Sequence, residues 1–161
     1  MPYLDDAATA PVRREVLEAM WPWLTTGFGN PASHHSMGDE AARALDDARR
    51  RIARRLGCAP GEVVLTSGGT EGDNLAVKGA VLASTRGRHV VTSAIEHPAV
   101  LESCIFLERW HGAAVTVLPV DGDGLVDPHD LARAIRPDTA LVSIMTANNE
   151  VGTVQPIAEL T

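Results

Sequence analysis

Three short clusters in this chain carry side chains able to do chemistry: Ser67-Gly68-Gly69-Thr70-Glu71-Gly72-Asp73-Asn74, Glu96-His97 and Asn148-Asn149-Glu150. In the first, small residues follow the apolar run Val63-Val64-Leu65 and precede a helical pattern starting near Leu75. A strand, a glycine turn and a helix start together make an anion site. Unpaired N–H groups of a first helical turn point outward, the helix dipole adds partial positive charge, and glycine lets a phosphate approach the backbone. The spacing is neither GxGxxG nor GxxxxGK[ST], so the two common nucleotide fingerprints do not apply. The plainer alternative is that Gly68-Gly69 only closes a tight turn, with Thr70 as a helix cap. His97 is either a flat, titratable group or a cap for the helix opening at Pro98. Asn148-Asn149 are either amide donors or turn residues.

The elements that must position these clusters alternate along the chain. A strand is expected near Glu62–Thr66, a helix near Glu71–Leu82, a strand near His89–Ser93 and a helix near Pro98–Trp110. A strand at Ala114–Val120, a helix at Pro128–Ile135 and a strand at Ala140–Met145 follow. This alternation predicts an α/β fold, a three-layer sandwich with a mostly parallel sheet, whose ligands sit at the carboxyl ends of the strands. All three clusters fall just after predicted strands, so one rim of the sheet collects them. Helices precede this region. Val12, Val16, Met20 and Trp23 recur at helical spacing across Pro11–Leu24, and Ala41, Ala44, Leu45, Ala48, Ile52 and Leu56 form a stripe across Met37–Leu56, with Gly57 as its stop. The Gly27–His35 segment between them reads as an ordered loop. The expected organisation is an arm and helix over 1–35 and a partial large domain over 36–161.

Composition bounds the function. The 161 residues are 45% hydrophobic and 22% charged, the balance of a soluble globular chain, and no apolar run is long enough to span a bilayer. The amino terminus lacks a basic region followed by an apolar one, so a cytoplasmic location is expected. A formal net charge of -7 argues against a general nucleic-acid binder, and the arginines of 49–55 read as a solvated helix face. Cys58 and Cys104 form no CxxC pair, so neither a metal site nor a redox motif is expected. Lys78 is the single lysine, so any lysine chemistry rests on it or on another chain. The segment Gln155–Thr161 opens like a helix and stops, which reads as a truncated chain.

With these motifs in place, the chain resembles the pyridoxal-phosphate-dependent cysteine desulfurases of the nitrogen-fixation and iron-sulfur-assembly type, in the class V aminotransferase group of fold type I. The resemblance rests on Tyr3–Thr9, on Gly29-Asn30-Pro31-Ala32-Ser33 with His35, on Thr66–Asn74, on Glu96-His97-Pro98-Ala99-Val100 and on Asn148-Asn149-Glu150-Val151-Gly152. It implies that Gly69 and Thr70 hold the cofactor phosphate, that His97 stacks on the pyridine ring and moves protons, and that Asn149 contacts the ring's hydroxyl side. It implies removal of sulfur from L-cysteine to give alanine, with an enzyme persulfide passed to a sulfur-acceptor protein such as an iron-sulfur scaffold, in a homodimer. A selenocysteine lyase or a small-substrate aminotransferase of the same group is the related alternative, and a non-catalytic fragment the distant one. The resemblance also puts the Schiff-base lysine, the aspartate at the pyridine nitrogen and the persulfide cysteine beyond Thr161. Lys78 is therefore expected to be an ordinary helix lysine and Cys104 a buried structural thiol.

Overall fold

A computed structural model describes residues 2–161. Two compact units make up the chain, Met1–Leu65 and Thr66–Thr161; the boundary read from the sequence lies earlier, at 35/36.

In the first unit the Tyr3 hydroxyl lies 2.9 Å from the carbonyl oxygens of both Asp5 and Thr9. Helix α1 spans Arg14–Thr25, three residues past the expected start. Arg13 is still extended as the N-cap, with no side-chain cap, so the helix begins only after it. Helix α2 spans Ser36–Leu56. His35 caps it, its Nδ1 accepting from the Gly38 N–H at 3.2 Å, and Gly57 ends it in the left-handed region at φ 70°. Only glycine reaches that conformation without Cβ strain.

The expected strand at Glu62–Thr66 does not form. A 3-10 turn occupies Pro60–Glu62, fastened by the Glu62 carboxylate, which accepts from the Ala59 N–H at 2.6 Å. Residues 63–66 then carry no strand, and Val64 and Leu65 stay exposed. A β-branched run favours extended backbone, but a strand exists only where a neighbour supplies hydrogen bonds.

The second unit is the α/β sandwich. Helix α3 (Gly69–Ala83) leads to β1 (His89–Ser93), α4 (Pro98–His111), β2 (Ala114–Leu118), α5 (Pro128–Ala134), β3 (Thr139–Ser143) and the short α6 (Ile157–Leu160). The sheet is parallel in the order β2-β1-β3, with Val91 opposite Thr116 on one side and Val142 on the other. Successive side chains of β1 point to opposite faces, and each face has its own core. Val90 packs with Val77, Val81, Val100, Cys104 and Leu107 beneath α3 and α4. Val91 packs with Leu118, Val126 and Leu131 beneath α5. Central β1 is buried at all five positions, which is why its sequence is nearly continuously apolar or small.

At the amino end of the strands, the buried His89 ring ties the three strands together. Its Nδ1 lies 2.7 Å from Thr139 Oγ1 on β3 and its Nε2 2.8 Å from Thr116 Oγ1 on β2. Gln155 does similar work between loops, accepting from the Val126 N–H at 2.9 Å and donating to the Gly124 carbonyl at 2.6 Å.

Candidate functional site

The strands' carboxyl edge carries the three motif clusters of the second unit. Helix α3 packs on α4 and β3, and its carboxyl end feeds the start of β1, so its first turn lies toward the opposite, carboxyl edge. His97 opens α4 directly after β1, and Asn149 sits in the loop after β3. Because β1 and β3 are adjacent and parallel, the latter two loops are neighbours.

The α3 turn is built to leave donors free. Gly68 is the N-cap, with no side-chain cap, and the first bond of the helix runs from the Gly72 N–H to the Gly68 carbonyl at 3.1 Å. The amides of Gly69, Thr70 and Glu71 precede that bond and are the orphan donors of the helix start. Thr70 is exposed at the second helical position, so its hydroxyl stays outside the cap, contrary to the turn-and-cap alternative. A Cβ built on Gly68 or Gly69 would meet nothing within 4 Å, so the backbone here faces open space. One acidic group stands in the same turn. Glu71 accepts at 2.6 Å from both the N–H and the Oγ of Ser67, and these two bonds, the hydroxyl's first, hold its carboxyl below the usual range. Its charge is thus tied to Ser67, the residue before the N-cap.

His97 shows the opposite balance. Its Nδ1 accepts from the Ala99 N–H at 3.1 Å, so it does cap α4 as the plainer alternative supposed. The cap also fixes the tautomer: with Nδ1 bearing a lone pair, the neutral ring carries its proton on Nε2. The residue is exposed, which leaves Nε2–H and the ring faces available.

The two asparagines divide their labour. Asn148 is the turn residue, its Oδ1 accepting from the N–H groups of Glu150 and Val151 at 2.9 Å each, while its Nδ2 donates to the Ile95 carbonyl at 2.9 Å. Asn149 is exposed beside it and is the one whose amide faces outward. Glu96, a residue to which the sequence reading gave no role, is buried and bridges the same two loops. Its signal in the sequence was an acid at a strand end, where unpaired backbone amides need acceptors.

Two other reactive side chains, Cys104 and Lys78, are restrained. Burial first, and the Glu96 charge second, push the Cys104 thiol up to about 11, which keeps it protonated. Lys78 donates to Asn74 Oδ1 at 2.5 Å and lies 4.3 Å from the centre of the Phe106 ring, a tethered helix lysine. Among the described residues no group of three His, Cys, Asp or Glu side chains is placed to hold a metal, and no helix is long and apolar enough to cross a membrane.

A family model for aminotransferase class-V matches residues 2–161. The chain belongs to the class-V aminotransferase family. Among curated members it is 55% identical over 159 residues to a cysteine desulfurase IscS of Dictyoglomus turgidum, covering 98% of this chain and 40% of that protein. A cysteine desulfurase IscS of Methanosarcina thermophila is 52% identical, with 39% of its length covered. Among solved structures, a NifS-like protein superposes with a TM-score of 0.90 at 41% identity, over 97% of this chain and 43% of that one. A structure described as SspA in complex with cysteine gives 0.89 at 43% identity, over 99% and 46%. The chain thus spans about two fifths of the length of the curated relatives it matches.

Proposed function

We propose that this chain forms the phosphate-binding part of a pyridoxal-phosphate-dependent cysteine desulfurase. The observation that carries the reading is the α3 turn: orphan amides, a Thr70 hydroxyl outside the cap and open space at Gly68 and Gly69 fit a phosphate group. In this reading Gly69 and Thr70 hold the phosphate, while His97 lies against the pyridine ring and Asn149 donates to its phenolic oxygen without adding charge. When bound, the cofactor supplies an electron sink for the substrate's reacting carbon. Because its Nδ1 is engaged by the Ala99 N–H, His97 moves protons at Nε2, and the first it moves is one it gives.

The substrate of the proposal is L-cysteine, with alanine as product and sulfur passed through an enzyme persulfide to an acceptor protein. It is supported by the curated relatives' name and by the structural neighbour in complex with cysteine. The proposal extends to a cytoplasmic homodimer in which residues 36–161 belong to the large, cofactor-binding domain and 1–35 form its arm.

The test uses the complete gene product. Titration of the apo form with pyridoxal phosphate, against pyridoxal as a control lacking the phosphate, should show strong preference for the phosphorylated form. Thr70→Ala should weaken that binding about tenfold, the size of one charge-assisted hydrogen bond. His97→Ala should retain cofactor yet release alanine from L-cysteine ~100-fold more slowly. Equal binding of the two vitamers, or no alanine from L-cysteine, would overturn the reading.

A further inference from the structure

The loops that present His97 and Asn149 are held by two side chains that themselves face inward. Glu96, 7% exposed, accepts through one oxygen, Oε1, from Ser93 Oγ at the end of β1 and from the Met145 N–H beyond β3, each at 2.7 Å. Asn148 closes a second link across the same gap through its bond to the Ile95 carbonyl. A third bond, from the Ala94 N–H to the Leu118 carbonyl at 3.0 Å, anchors the β1 end to β2. In both loops the bracing residue immediately precedes the outward one: Glu96 before His97, Asn148 before Asn149. A buried carboxylate is costly unless hydrogen-bonded, so its presence here needs the bonds it makes. The contacts it fastens lie 49 residues apart in sequence and share no ladder bond at this point.

We propose that Glu96 is a positioning residue of the rim: its carboxylate locks the β1–α4 loop to the segment after β3 and so holds His97 and Asn149 in register. The inference rests on the cofactor-binding reading above. Glutamine keeps an acceptor oxygen with two lone pairs at the same place, so Glu96→Gln preserves the lock, whereas Glu96→Ala removes it and strands the Met145 N–H.

In the complete gene product, Glu96→Ala should bind pyridoxal phosphate about tenfold more weakly, the change that 1.4 kcal/mol makes. Its His97 nitrogen resonances should move from the single Nε2–H tautomer toward an average of two, and the Met145 amide should exchange faster. Glu96→Gln should stay within about threefold of the native affinity with the tautomer unchanged. A Glu96→Ala protein with native His97 resonances and native affinity overturns the proposal, as does a Glu96→Gln protein that loses as much as the alanine variant. If Glu96→Ala does not fold, Ser93→Ala removes one of the two bonds and should weaken binding roughly threefold; unchanged affinity and tautomer there also overturn it. Native protein that fails to bind pyridoxal phosphate defeats the functional reading alone, since the tautomer and the amide exchange report the lock without ligand.

Discussion

Helix α4 buries Ala99, Val100, Ser103, Cys104 and Leu107, whereas α1 buries no residue. Both helices carry apolar stripes at helical spacing. In the second unit the stripe meets a sheet, and two apolar clusters close over the faces of β1. In the first unit Val16, Leu17, Met20, Trp21, Trp23 and Leu24 are all exposed, and Ala53 is the one hydrophobic side chain buried among the described residues there. An amphipathic pattern therefore states that a helix has a face to bury, and only a partner surface turns that face into stability. The candidate site residues sit on the unit that has the partner surface, where the strand ends are rigid enough to hold separate loops in register.

The widest gap between the units should show in paired truncations. Leu107→Ala, at a fully buried position, should cost about 3 kcal/mol, while Leu24→Ala, 67% exposed on α1, should cost no more than ~0.5 kcal/mol. Denaturant melts read alongside residue-resolved hydrogen exchange would measure both. Comparable losses would mean that α1 is covered in solution and that the contrast is not intrinsic.

Acid should act on the second unit through His89. Burial first, then the Arg136 charge, hold its pKa below 6.5, with Asp138 opposing. The folded state therefore prefers the neutral ring. Its contribution is intact above pH 6.5 and declines as pH falls from there toward the lowered folded value, because the unfolded chain binds the proton first. One proton limits the slope to about 1.4 kcal/mol per pH unit. His89→Gln should flatten this part of a stability curve measured between pH 7.5 and 5, and an unchanged slope would assign the acid sensitivity elsewhere.

The smallest effect tests where the units should agree. Gly57 ends α2 and Gly112 ends α4, both left-handed at φ 70° and 65°, and a Cβ at either meets nothing within 4 Å. Alanine at each should cost about 1 kcal/mol, from backbone strain alone. A large difference between the two in melts of the single variants would show that the units respond differently even to local strain.

Local signals carried much of this into view. β1 falls where its apolar run lies, α4 opens at Pro98, and α2 ends at Gly57, because periodicity and punctuation act over a few residues. The missing strand after Glu62 and the later start of α1 were not legible, since the first needed a pairing neighbour and the second depended on the backbone conformation of Arg13, which no residue-type signal marks. At the site, the sequence marked Thr70, His97 and the two asparagines, but it could not tell which asparagine turns the chain and which faces out, nor that His97 spends one nitrogen on a cap.

By itself the sequence determined the alternation of elements from α3 onward, the glycine-bearing helix start and the polar identity of each strand end, all set by residue type and short-range spacing. The tertiary structure alone decided that Glu96 and Asn148 join loops some fifty residues apart, that His89 links three strands, and that Cys104 is too buried to ionise near neutrality. Those outcomes depend on which surfaces meet across the sheet, and hydrogen bonding and desolvation are properties of the meeting rather than of either partner.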